Sequence, residues 1–478
     1  MNRRRFLIVL ATTTALSALA LTVARASDLP KVATGFVASV LCSETFVSGQ
    51  PPDRIFAQTV AAMPGAGLVS WALDYKVDRE RREVAVTLFG VGRSHAIYRD
   101  GLGCYLDHGG PVVEASVSST DAGQGRTLLP EIAGRSIVAP GNSDLAAALD
   151  RAFAEPDQPP SRHTRAVVVV KDGRVIAERY AEGYGIATPL LGFSMTKSVM
   201  SALTGILVRK GVLKPDQPAP VAAWQSPGDP RGAITIDHLL RHTAGLAIGS
   251  SLQASLASAL EPVNRMKYVE PDMAAFAESF KLETTPGTAW NYNDGNVIIL
   301  GHILRDAAGG RPADLLRFAR QELFGPLGMR HVTLEFDAAG NPEGSSQMLA
   351  SARDWARFGL LYLNDGVVGG RRILPEGWVS YSATPTPQGW VGYGAGFWTN
   401  QGDSRGATNR IEHGMPRDAF FAKGTIGQYV VIVPSARLVI VRLGRSPNWP
   451  PESDGVYRLV SDVIAATGGL APSDRDHR

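Results

Sequence analysis

The chain has 478 residues, 44 % hydrophobic and 19 % charged, an ordinary globular composition that excludes a disordered tail protein and a coiled coil. At roughly 150 residues per domain, the length predicts two or three domains. Lys and Arg exceed Asp and Glu by 48 − 45 = 3, which points to no nucleic-acid partner, and 2 Cys exclude both a disulfide scaffold and a four-Cys zinc site.

The first segment reads as an address. Arg3-Arg4-Arg5 precede Phe6-Leu7 and an apolar run to Ala24, and Ala24-Arg25-Ala26 is an A-x-A cleavage signal. Residues 1–26 are therefore expected to be an export signal of twin-arginine type. An uncleaved anchor is the alternative, because the run approaches the roughly 20 residues that span a bilayer. The interrupting threonines favour cleavage, so the mature chain is expected to be periplasmic or secreted, with no stable membrane span. In such an oxidising compartment Cys42 and Cys104 are expected to pair. The alternative is two buried free thiols.

Residues 27–155 read as a small accessory α+β domain. Glu83–Leu88 alternates as a half-buried strand does, with His95–Tyr98 as its expected partner. Asn142-Ser143 caps a helix predicted over Asp144–Phe153, with Leu145, Ala148, Leu149 and Phe153 near one face. The stretch Glu155-Pro156-Asp157-Gln158-Pro159-Pro160-Ser161 is a break, and residues 160–470 are expected to form a second domain.

That second region opens on a hairpin, Ala166–Val170 and Arg174–Tyr180, turning at Lys171-Asp172-Gly173. A second strand pair is predicted at Gln428–Val433 and Leu438–Leu443, and an amphipathic helix at Gly455–Ala466. Strands from both ends around a helix-rich middle predict one antiparallel sheet with helices on its faces and an inserted helical subdomain.

Between the strand pairs lies Gly192-Phe193-Ser194-Met195-Thr196-Lys197, opening a helix whose face Met195, Val199, Leu203 and Ile206 is apolar and which ends at Gly211. Ser194 and Lys197 share the side of one helical turn. A serine needs a base to become a nucleophile, and a buried lysine at a positive helix end can be that base once neutral. The Ser194 backbone N–H would face a developing oxyanion. No other lysine of the chain has a serine three positions before it. A solvated surface lysine is the alternative for this pair alone.

Tyr292 lies in the polar stretch Trp290-Asn291-Tyr292-Asn293-Asp294-Gly295-Asn296 before an apolar helix, Val297–Leu304, where a phenol is placed to shuttle a proton. Lys423-Gly424-Thr425 leads into the late strand pair, where a glycine permits close backbone approach and the next N–H can serve as a second oxyanion donor.

Taken together, Ser194-Met195-Thr196-Lys197, Tyr292-Asn293-Asp294 and Lys423-Gly424-Thr425 resemble, in order and spacing, the serine β-lactamase-like hydrolases. That superfamily includes class C β-lactamases, D,D-peptidases, family VIII esterases and 6-aminohexanoate-dimer hydrolases. Leu239-Leu240-Arg241-His242-Thr243-Ala244-Gly245-Leu246, Pro326-Leu327-Gly328-Met329 and Ala352-Arg353-Asp354-Trp355-Ala356-Arg357-Phe358-Gly359 add to the likeness. Ser-Met-Thr-Lys and Asp418–Ala422 with Gly427-Gln428 are most similar to the 6-aminohexanoate-dimer hydrolase branch. The resemblance implies the serine β-lactamase/transpeptidase-like α/β (α+β) fold and acyl transfer. Ser194 would attack a carbonyl, Lys197 take its proton, and Tyr292 protonate the leaving group, with the N–H groups of Ser194 and Thr425 as oxyanion hole. No metal or organic cofactor is implied, and the partner is a small-molecule amide or ester.

Two positions depart from the pattern. Asp294 stands where Tyr-x-Asn or Tyr-x-Ser is usual, and the cation of the usual Lys-Thr-Gly is shifted to Lys423. Asp294, Lys423 and Gly424 are the residues expected to meet the substrate, with Arg410, His413 or Arg417 as alternative sources of charge. A penicillin-recognising D,D-peptidase, β-lactamase-like protein or slowly turning sensor is the rival reading. An α/β-hydrolase is disfavoured because Ser194 lacks the second glycine of G-x-S-x-G. His242, His302 and His331 read as structural.

Overall fold

The structure is a computed structural model that describes residues 28–61, 70–112, 126–252, 257–446 and 454–469. The export signal expected over residues 1–26 lies outside the described residues. No described helix is long and apolar enough to cross a membrane.

The centre is a six-stranded antiparallel sheet in the order Trp398–Thr399, Phe420–Gly424, Gln428–Val433, Leu438–Leu443, Ala166–Lys171, Arg174–Tyr180. Leu438 pairs with Lys171 and Leu443 with Ala166, so the two predicted hairpins, distant in sequence, share a long central ladder. These strands read as continuous β-branched runs because both sheet faces are covered. Val168, Val170, Val430, Ile432, Val439 and Val441 face one core with the helices Met195–Arg209 and Ala352–Leu363. Val167, Val169, Val431, Val433 and Ile440 face a second core with the helices Ser143–Phe153 and Val456–Ala466.

That second core takes in a helix from before the expected boundary near residue 160. The helix Ser143–Phe153 precedes the Pro-rich break, yet Leu145, Ala148 and Leu149 pack with Val460 and Val463 on the sheet that follows it. Pro-rich composition marks a chain that cannot continue a helix; it does not decide which surface the helix covers.

The helical insertion carries Ile236–Leu240, Pro262–Tyr268, Met273–Glu278 and Asp294–Ala308. The N-terminal part is a helix over residues 28–46 and a four-stranded meander, Leu73–Asp78, Glu83–Leu88, Val91–Arg99 and Gly103–Asp107. Within His95–Tyr98, His95, Ala96 and Ile97 pair with Ala85, Val84 and Glu83 as expected, and all four residues pair with the last strand on the other side. Cys42 and Cys104 are joined, with Cα atoms 6.1 Å apart, tying that helix to the last meander strand. The helix does not stand apart from the rest: Val37, Leu41 and Cys42 share a core with Leu191, Phe193, Leu349 and Ile426.

Candidate active site

The short strands Leu190–Leu191 and Met348–Ala350 pair, and Gly192 N–H donates to Met348 O at 2.9 Å. This anchors the turn into the helix Met195–Arg209. Phe193 holds φ +46°, a left-handed conformation uncommon for a side-chain-bearing residue, and aims the following Ser194 at the helix start. The Phe193 ring is fixed from behind by the Arg445 guanidinium, 5.2 Å from its centroid. Every residue from Met195 to Leu207 is buried, not only the predicted apolar face, while Ser194 keeps partial exposure. A helix buried all round is a core element, and its open N-terminus leaves the hydroxyl reachable.

Lys197 is sequestered with a side chain 1 % exposed. Its Nζ lies 3.0 Å from Ser194 Oγ, 2.6 Å from Asp294 Oδ1 and 2.8 Å from Ser345 O. Asp294 is the first residue of the helix Asp294–Ala308, with Asn293 as its cap; the sequence places the start at Val297, where the apolar periodicity begins. The other oxygen, Asp294 Oδ2, meets Lys267 Nζ at 3.1 Å. Burial would raise the Asp294 carboxyl, but Lys197 and Lys267 outweigh it and hold the group well below the ordinary carboxylate range. The sequence expects Asp294 at the substrate; the structure spends both its oxygens on buried lysines.

Tyr292 sits directly before that cap, buried, with its ring 4.9 Å from Lys197 Nζ. Its carbonyl accepts from Ser251 N–H at 2.8 Å. Around it stand His242, Tyr393 and Trp398, with ring centroids 4.6, 5.5 and 5.7 Å away. Trp290 completes this aromatic wall. Burial, with Lys197 nearby, pushes His242 down to about 3, so it stays a neutral imidazole, and its Nδ1 accepts from Asn293 N–H at 3.4 Å. It stays uncharged beside Lys197.

The strand Phe420–Gly424 runs beside this turn. A Cβ on Gly424 would lie 2.1 Å from Gly192 O, so only glycine lets the strand end approach the turn before Ser194. Thr425 follows, half-buried. Among the described residues, neither Ser194 N–H nor Thr425 N–H donates to a backbone carbonyl. Phe420 and Ala422 face the helix Met195–Arg209, whereas Phe421 faces the other core, so the alternation puts Lys423 on that other side. Its Nζ lies 5.3 Å from the ring centroids of both Trp398 and Tyr429. Arg410 is also committed, donating to Asn400 Oδ1, Val391 O and Thr399 O at 2.6, 2.9 and 2.7 Å. His413 and Arg417 are exposed.

Sequence reasoning missed Lys267, Ser345 and Arg445. Lys267 carries no motif, Ser345 contributes only a carbonyl, and Arg445 acts through a ring on another segment. Each becomes visible only when the chain is folded.

Residues 149–464 match the family model described as Beta-lactamase. A curated relative named 6-aminohexanoate-dimer hydrolase, from Paenarthrobacter ureafaciens, is 24 % identical over 329 residues, covering 63 % of this chain and 77 % of the relative. Among solved structures, a penicillin-binding protein homologue from Caulobacter crescentus superposes with a TM-score of 0.53 at 18 % identity, covering 69 % of this chain and 99 % of that one. A family VIII carboxylesterase superposes with a TM-score of 0.52 at 16 % identity, with the same coverage of 69 % and 99 %.

Proposed function

Since the chain belongs to the beta-lactamase family and is a hydrolase of that fold, we propose that it cleaves an amide or an ester through an acyl-enzyme on Ser194. The observation that carries this reading is the position of Lys197 Nζ. Two of its three neighbours, Asp294 Oδ1 and Ser345 O, can only accept hydrogen bonds, and the third is Ser194 Oγ. A neutral amine has two N–H groups. With both directed at the two acceptors, its lone pair is left for the Ser194 hydroxyl proton.

Ser194 Oγ then attacks the carbonyl carbon while its proton passes to Lys197. The oxyanion that forms accepts from Ser194 N–H and Thr425 N–H, assisted by the positive end of the helix. As the bond to the leaving amine or alkoxide breaks, Tyr292 gives that group its phenolic proton and takes the proton held by Lys197 in exchange. Water then attacks the acyl carbon while its proton passes to the Lys197–Tyr292 pair; the bond from the acyl carbon to Ser194 Oγ breaks, that proton returns to Oγ, and the acid leaves. The aromatic wall of Trp290, Tyr292, Tyr393 and Trp398 supports an apolar group next to the scissile bond. The name of the curated relative supports an amide, and the sheltered site suits an uncharged ester equally well. A carboxylate-bearing β-lactam is less well matched, because Lys423 lies against rings and Arg410 is bound to carbonyls. Export to the periplasm remains part of this proposal, on the strength of Arg3-Arg4-Arg5 and Ala24-Arg25-Ala26.

The test compares a p-nitrophenyl ester, a linear amide dimer and a β-lactam as substrates of one preparation. Ser194→Ala is expected to abolish hydrolysis while the circular dichroism spectrum stays that of the parent. Parental turnover by that variant would overturn the assignment of the nucleophile.

A further inference from the structure

We propose that Lys267 is a positioning residue that lets Lys197 lose its proton, by neutralising Asp294 from the far side. The inference rests on the reading of Lys197 as the base. A carboxylate 2.6 Å from Lys197 Nζ favours the ammonium form, which cannot accept a proton. Lys267 Nζ stands 3.1 Å from the second oxygen of that carboxylate, its side chain 8 % exposed. With one cation already matched to one anion, Lys197 faces a pair of no net charge. The chain has thus added an anion beside its base and a cation to cancel it.

Below about pH 7 the surrounding groups leave this arithmetic intact. Lys267 and Tyr268 come from the helix Pro262–Tyr268, His242 from the segment after Ile236–Leu240, Tyr292 from the cap of Asp294–Ala308, Tyr393 from beside Trp398, and Glu343 from the segment holding Ser345. His242 is neutral, and burial pushes both Tyr268 and Tyr393 up, so they stay protonated. Among the described residues Glu343 is the other acid facing Lys267; burial pushes it up to about 7, so it is largely protonated below that pH and adds a negative charge above it, which the Glu343→Gln variant separates. The helix that carries Lys267 is held by the N-terminal helix. Phe36 meets the Tyr268 ring edge-on at 5.9 Å, and a Cβ on Gly35 would touch Tyr268 Cβ and O at 2.9 Å.

The experiment measures kcat/KM of the full chain for a p-nitrophenyl ester across pH and follows the ascending limb, which reports loss of the Lys197 proton. Lys267→Met is expected to move the limb up by about one pH unit or more, an about tenfold loss on its acid side. Lys267→Arg keeps the charge and is expected to keep the limb. Asp294→Asn is expected to move it down, and the double variant to fall between the two singles. If Lys267→Met does not fold, a limb that moves down in Asp294→Asn and stays in place in Lys267→Arg still decides. A limb that ignores Lys267→Met, or that shifts as far in Lys267→Arg, overturns the proposal. So does a limb that moves with Glu343→Gln and with no Lys267 variant. Ester turnover by Ser194→Ala, measured alongside, would instead defeat the acyl-enzyme reading itself.

Discussion

At Gly424 the space between strand and turn is smaller than a methyl group. The would-be Cβ lies 2.1 Å from Gly192 O and 3.1 Å from Gln428 Cβ, so an alanine must push the strand end off the turn. Thr425 N–H moves with it. Gly424→Ala is therefore expected to lower kcat for the ester about 10²–10³-fold, the typical effect of losing one oxyanion donor. KM should change far less, because the aromatic wall proposed to seat the acyl group is left in place. A variant with near-parental kcat would remove Thr425 from the oxyanion hole. The residues of this centre differ in how far they could be read from the chain. Ser194 and Lys197 were legible because one helical turn brings them together, and Tyr292 because a phenol stands among Asn, Asp and Gly before a helix. The partner of Asp294 was not, since nothing in the run Pro262–Tyr268 distinguishes Lys267 from a surface lysine. Where the Lys423 side chain lies was not legible for a related reason: one step along a strand reverses the face, and its register is set by Tyr429 across the ladder.

The helices show the same division between local and long-range information. Apolar spacing located Ser143–Phe153 to within a residue, and Asn142 caps it by accepting from Leu145 N–H at 2.8 Å. Its attachment to the sheet beyond the Pro-rich stretch is a matter of tertiary packing, which periodicity does not carry. The helix of Asp294 shows the converse. Its first turn is polar, so the periodic signal starts at Val297 and omits the turn that places the carboxylate. Leu149 has no exposed surface and lies in the core between the helix and the sheet. Leu149→Ala is expected to destabilise the fold by about 2–5 kcal/mol, the range for a truncated core leucine. Denaturant unfolding reads that loss. Ester turnover of the folded variant at 25 °C should stay parental, because this core lies across the sheet from Ser194. An equal fall in kcat would show that the two faces are not independent.

On the scale of the whole molecule, the N-terminal helix is joined to the rest through buried charge. Glu44 has a fully buried side chain and bonds Arg165 at 2.8 Å, with Arg445 on its other oxygen, and Arg445 in turn backs the Phe193 ring. Glu335 lies beside the Cys42–Cys104 link, accepting from Ser43 Oγ and, at 2.7 Å, from Cys104 N–H. Burial dominates these donors and lifts the Glu335 carboxyl from 4.5 to about 8. Glu343 is likewise lifted to about 7 and Asp337 to about 6, in each case first by burial. Between their unfolded and folded values such acids are protonated when folded and ionised when unfolded, so folding takes up protons and stability falls as pH rises. Histidines held neutral by burial, His242 foremost, act in the opposite direction, but only below the ordinary histidine value of about 6.5. Asp294, held low by its lysines, contributes a constant amount above the ordinary carboxylate range. From about pH 6.5 to 8, therefore, the urea midpoint should fall, each protonated acid contributing a slope of about 1.4 kcal/mol per pH unit. Glu335→Gln should flatten that fall, because an amide has no proton to release. A variant that loses stability with pH as steeply as the parent would place the titrating group elsewhere than beneath the disulfide.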